Sequence, residues 1–109
     1  MANGSDAPIE ELDPLAGIAA GVLRTADERP AWRLEQAVSV EEALLATCAA
    51  PAWLTRDEHR RGRLLPGYLA DLVVLDRDPV TCPTEELREI RVVATMVGGR
   101  WRHNPPPWD

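Results

Sequence analysis

The side chains of this chain that could do chemistry are two cysteines, two histidines and a scatter of acidic residues, and their spacing restricts what they can do. Cys48 and Cys82 form no C-x-x-C pair, and no histidine is matched to either, so a thiol nucleophile would lack its base. Both read as small apolar residues. His59 lies in the charged stretch Asp57-Glu58-His59-Arg60-Arg61 and reads as solvated; His103 lies near the C-terminus. Glu41 and Glu42 belong to a helix start, where capping and the helix dipole occupy them. Asp71, at the head of an apolar run, is expected to cap a turn or accept a bond from a nearby backbone amide. Asp6, in Gly4-Ser5-Asp6-Ala7-Pro8, offers a carboxylate on a loop, a position that also suits plain turn capping.

The elements that must position these groups are legible from period and punctuation. Asp13-Pro14 opens a helix, with the aspartate as cap and proline at the first helical position. Leu15, Ile18, Ala19, Val22 and Leu23 give it one apolar stripe. Gly17 and Gly21 each cost it about 1 kcal/mol relative to alanine, and on their four-residue spacing could admit the close approach of another backbone. Thr25 to Pro30 reads as a loop. Ser39 and Glu42 form a capping box for a second helix carrying Val40, Ala43, Leu44, Thr47 and Cys48. Pro51 is expected to end or bend it. Thr55 and Glu58 repeat the capping spacing and predict a further short turn.

From Gly62 the character changes to strands. Residues 62–79 read GRLLPGYLADLVVLDRDP, in which Leu72-Val73-Val74-Leu75 is an apolar run without polar alternation. Such a strand needs cover on both faces. Thr84 to Ile90 predicts one helical turn. Arg91 to Val97 is a strand, and Gly98-Gly99 is a hairpin turn before Arg100-Trp101-Arg102. Trp32, Trp53 and Trp101 read as packing residues, with Trp108 set apart in a Pro-Pro-Pro-Trp tail.

The bulk numbers bound the answer. A chain of 109 residues holds at most one domain and buries about 65% of its unfolded surface if compact. Its net charge of −6 excludes nucleic acid and anionic membrane as default partners. All twelve basic residues are arginine, which with abundant alanine and proline suits a GC-rich bacterial genome. No run approaches a membrane span, residues 1–25 do not read as a signal peptide, and a cytoplasmic setting is expected.

Five ordered strings resemble the C-terminal quarter of metal-dependent amidohydrolases of the family 3 type, the branch that includes N-substituted formamide deformylases. These are the G-S-D-x-P string ending at Pro8; Gly17, Ile18, Val22 or Leu23, and Arg24; Ser39, Glu41, Glu42, Ala43, Leu44 and Thr47; the Gly62-to-Leu75 string; and Thr95, Val97, Gly98, Gly99 and Trp101. The resemblance implies an α+β chain: two helices from the end of a (β/α)8 barrel, followed by a small β-hairpin or β-sandwich portion. It divides into residues 1–61 (last barrel strand end and helices), 62–103 (C-terminal part of the small β-domain) and 104–109, a Pro-rich tail expected to be extended or disordered.

It also implies chemistry. The relatives hydrolyse non-peptide carbon–nitrogen bonds of small amide-type substrates with zinc or another divalent metal. Asp6 takes the position of the aspartate after strand eight, a metal-site residue that accepts water's proton and passes it to the leaving nitrogen. The relatives also carry an H-x-H pair, a bridging carboxylated lysine or glutamate and two further histidines. This chain has no H-x-H and no lysine. Since a catalytic zinc takes three protein ligands, the chain alone is expected to bind no metal and to be inactive. Met1 to Asp6 would begin inside a barrel strand, so a truncated or mis-started portion is expected, with self-association or a missing N-terminal portion covering its apolar faces. The other expectation is a stand-alone, non-catalytic dimerisation or partner-binding module. A fragment would expose Ile18, Val22, Leu44 and Cys48; a module would bury them.

Overall fold

In the computed structural model, residues 1–104 and residue 107 are described, and the expected proline-rich tail, with Trp108, otherwise falls outside the described residues. The first helix, α1 (Pro14–Leu23), starts as its sequence dictates: the Asp13 carboxylate accepts the Leu15 amide at 3.0 Å and Pro14 occupies the first helical position. It stops at Arg24, a left-handed residue whose amide still donates to the Ala20 carbonyl. After a loop and a short 3-10 helix, Leu34–Gln36, comes α2 (Val40–Thr47). The capping box is complete here. Ser39 accepts from the Glu42 amide at 3.1 Å, and Glu42 accepts from the Ser39 amide at 2.8 Å.

Pro51 acts at a distance of one turn. Its ring would meet the carbonyl four residues back, that of Thr47, and α2 ends at Thr47. The chain resumes as α3 (Ala49–Leu54), a third helix where two were expected, with Pro51 in its first turn where no amide is needed. The turn predicted to open at Thr55 is instead a helix end. The Thr55 hydroxyl donates back to the carbonyls of Pro51 and Ala52, both at 3.1 Å, so it closes α3.

The strands β1 (Leu72–Leu75), β2 (Val92–Val97) and β3 (Arg100–His103) form one antiparallel sheet in the order β1-β2-β3. Leu72 lies opposite Met96, Val74 opposite Ala94 and Met96 opposite Trp101, so these residues share a face. Asp71 does what its position suggested: its carboxylate accepts the Gly98 amide at 2.7 Å and pins the β2–β3 turn, where Gly98 and Gly99 both have positive φ.

The expectation of cover on both faces of β1 is corrected. Val73 is 53% exposed, and Val93 and Val97 are also exposed, because the described strands make a single sheet with no second sheet packed on it. The described residues therefore form a small α+β unit of three α-helices and a three-stranded sheet. Its core is thin. Ala19 of α1 packs with Leu87 and Ile90, from and just after a 3-10 helix at Thr84–Glu89, and alanines 43, 46, 52 and 94 supply much of the remaining burial. Among the described residues no helix is long and apolar enough to cross a membrane.

Candidate functional site

Asp6 ends the segment that runs from Met1 between α1 and α2. The Asn3 amide donates to the Ala46 carbonyl at 2.8 Å, in the last turn of α2, where carbonyls lack intrahelical partners. The Asn3 side chain donates to Thr47 Oγ1 at 3.1 Å. Beyond it the chain turns sharply. Asp6 has φ 56°, in the left-handed region that non-glycine residues seldom occupy, and its carbonyl accepts the Ile9 amide at 2.9 Å. The carboxylate is exposed. A cavity of about 210 Å³ opens between Gly4, Ser5, Asp13, Gly17 and Thr47, and Asp6 is not part of its lining.

A larger groove of about 1010 Å³ lies elsewhere, between α2, α3 and residues 58–68. Leu45, Ala49, Trp53 and Tyr68 line it, with Glu42, Glu58, Arg61 and Arg63 among them. Glu42 is engaged in its capping box, and the walls are mostly apolar. This groove is the larger of the two, and it offers a contact surface rather than a set of converging reactive groups.

The other candidates separate from Asp6 or from chemistry altogether. His59 and His103 are exposed. Asp57, beside His59, is held by Arg60 Nε at 2.9 Å, and this bond keeps its carboxyl below the usual carboxylate range. Cys48 is exposed as a residue, yet partial burial of its thiol pushes that group up, away from the thiolate a nucleophile requires. Among the described residues no three His, Cys, Asp or Glu side chains stand close enough to hold a metal ion. A zinc site does not fit these residues taken alone.

Two tryptophans depart from the packing role expected of them. Trp32 is 67% exposed and lies beneath the guanidinium groups of Arg24 and Arg33, 5.8 and 5.1 Å from its ring centre. Trp53 is exposed on the wall of the large groove. Sequence reasoning missed the contacts of Asn3 with α2; the one available signal was Gly17, an unfavourable residue inside a helix. Of the four residues proposed to separate fragment from module, Ile18 is buried, Val22 and Leu44 are half-buried, and Cys48 is exposed.

Residues 1–103 match the profile described as the amidohydrolase family. A Bacillus subtilis protein named as an amidohydrolase, YtcJ, is 34% identical over 102 residues, which are 91% of this chain and 19% of that protein. The N-substituted formamide deformylase of Arthrobacter pascens is 42% identical over 69 residues, 63% of this chain and 13% of the relative. The Arabidopsis thaliana protein LONG AFTER FAR-RED 3 is 33% identical over 101 residues, 92% of this chain and 17% of the relative. The chain thus spans less than a fifth of the length of the curated relatives it matches. No solved structure matches it significantly.

Proposed function

This chain belongs to the amidohydrolase family, and from that membership we propose that it acts as the C-terminal portion of a hydrolase of non-peptide carbon–nitrogen bonds. On this reading residues 1–61 are the end of the last barrel strand and the helices after it. Residues 62–103 are part of a small β-domain. The substrate is a small amide-type compound, and the N-substituted formamide named for one relative is a reasonable first probe. Asp6 is the acid–base group, accepting a proton from the attacking water and returning it to the leaving nitrogen. The observation that carries this role is the Asp6 turn itself: an exposed carboxylate on left-handed backbone, at the end of a segment bonded to α2. The divalent metal of the family, zinc by expectation, would need ligands from outside this chain, since those described here do not assemble a site. On this reading the isolated chain, which carries no H-x-H pair and no lysine, does not turn over substrate by itself.

A second reading, a non-catalytic module that dimerises or binds a partner, has one observation in its favour: Ile18 is 5% exposed, so α1 closes against its neighbours without a barrel. The mass of the native polypeptide decides between the two. A species several times heavier than 12.0 kDa supports the enzyme reading, and a species at 12.0 kDa supports the module. In the heavier species, Asp6→Asn is expected to lower hydrolysis of an N-substituted formamide by about a hundredfold or more. Undiminished turnover in that variant would remove Asp6 from the mechanism. A cytoplasmic setting is part of either reading.

A further inference from the structure

Three residues from three separate segments meet just upstream of the Asp6 turn. Thr47 donates its hydroxyl hydrogen to the Ala43 carbonyl at 2.8 Å, one turn back in its own helix. That leaves only lone pairs facing outward, so the Asn3 atom 3.1 Å away must be the amide nitrogen. The Asn3 side chain is thereby oriented, and its backbone is held as well through the bond to the Ala46 carbonyl. On its other side the amide lies flat against α1 at Gly17. A Cβ added at Gly17 would stand 2.9 Å from Asn3 Nδ2 and 3.0 Å from Oδ1, so the end of the Asn3 side chain would have to shift. Gly17 costs α1 helical stability and provides the seat for Asn3 in return.

We propose that Asn3, Gly17 and Thr47 form a clamp that sets the position of the Asp6 turn, holding it to the last turn of α2 and the first half of α1. They are positioning residues and touch no reacting atom. The proposal rests on the reading of Asp6 as the acid–base group for its functional meaning, but the clamp has its own physical signature. Thr47→Val keeps the shape of the side chain and removes the acceptor, so Asn3 loses its side-chain bond while α2 keeps its backbone bonds. Gly17→Ala should improve α1 as a helix and yet displace the Asn3 amide, moving helix and turn in opposite directions.

The test is amide exchange by NMR on the whole chain, read at Asn3, at Ile9, whose amide bonds the Asp6 carbonyl, and across α1. Thr47→Val should speed exchange at Asn3 and Ile9 about fivefold, the equivalent of one net hydrogen bond, with α1 unchanged. Thr47→Ser, which retains the hydroxyl, should restore the original rates. Gly17→Ala should speed Asn3 and Ile9 while slowing α1. Unchanged exchange at Ile9 in Thr47→Val would overturn the clamp. Equal acceleration across Ile9, α1 and α2 would also overturn it, by making the bond a general helix contact. None of these readings depends on turnover, so a failed clamp and a non-catalytic Asp6 give different results.

Discussion

At the scale of single residues, the carboxylates divide by what they hold. Asp71 pins a hairpin turn, and Asp13 caps a helix. Asp57 bonds Arg60 at 2.9 Å, with Arg61 at 3.6 Å. These contacts, the Arg60 hydrogen bond foremost, lower the Asp57 pKa in the folded state. A depressed folded value means that the stabilising contribution is present above the unfolded aspartate range, near pH 4, and is lost as pH falls through the lower folded value. Carbon-detected titration of Asp57 should therefore give a midpoint below that of an ordinary aspartate, and Arg60→Ala should bring it back up. A midpoint unaffected by Arg60→Ala would refute the pairing. The roles of Asp13, Ser39 and Glu42 were legible in the sequence because helix caps are short-range stereochemistry, whereas the turn that Asp71 pins lies 27 residues further along the chain. The exposure of Trp32 and Trp53 was not legible, since apolar character alone does not say whether a partner surface is present.

At the scale of elements, backbone geometry around Gly62 decides how α3 meets the chain that leads to the sheet. Gly62 has φ +85°, and a Cβ there would lie 2.8 Å from Ala52 Cβ and 2.9 Å from the Cys48 carbonyl oxygen. The glycine is therefore required twice, for its conformation and for its lack of volume. Gly62→Ala is expected to destabilise the chain by about 3 kcal/mol, combining left-handed strain with overpacking. Urea unfolding measures this, and a loss under about 1 kcal/mol, the scale of an ordinary surface change, would count against so tight a junction. Glycine at this turn was readable in advance, but its contact with α3 was not. Likewise Pro51 announced a break, while the position of that break followed from where its ring meets the Thr47 carbonyl.

At the scale of the whole molecule, the interior is small and the exposed apolar surface is large. Burial falls chiefly on alanines, with Leu87 the largest side chain taken fully out of water, whereas Leu45, Trp53, Leu54, Leu64, Val73 and Val97 remain exposed. Each alanine buries little area, so the stabilisation available is modest. Among the described residues the outer edges of β1 and β3 pair with no further strand, which adds unpaired backbone. The isolated chain is accordingly expected to associate as concentration rises. Sedimentation over a range up to about 100 µM should show mass growing beyond 12.0 kDa; a constant monomer mass would show that these surfaces do not drive association. The amino-acid sequence by itself determined the family, the N-terminal caps of α1 and α2, the apolar runs that become strands and the hairpin, because each is written in contiguous residues whose local conformational preferences agree. Only the tertiary structure decided which faces are covered. It alone joined Ala19 to Leu87 and Ile90, left the Val73 face open, and set Asn3 between Gly17 and Thr47, because such long-range contacts depend on how the elements pack and leave no pattern in the local order of residues.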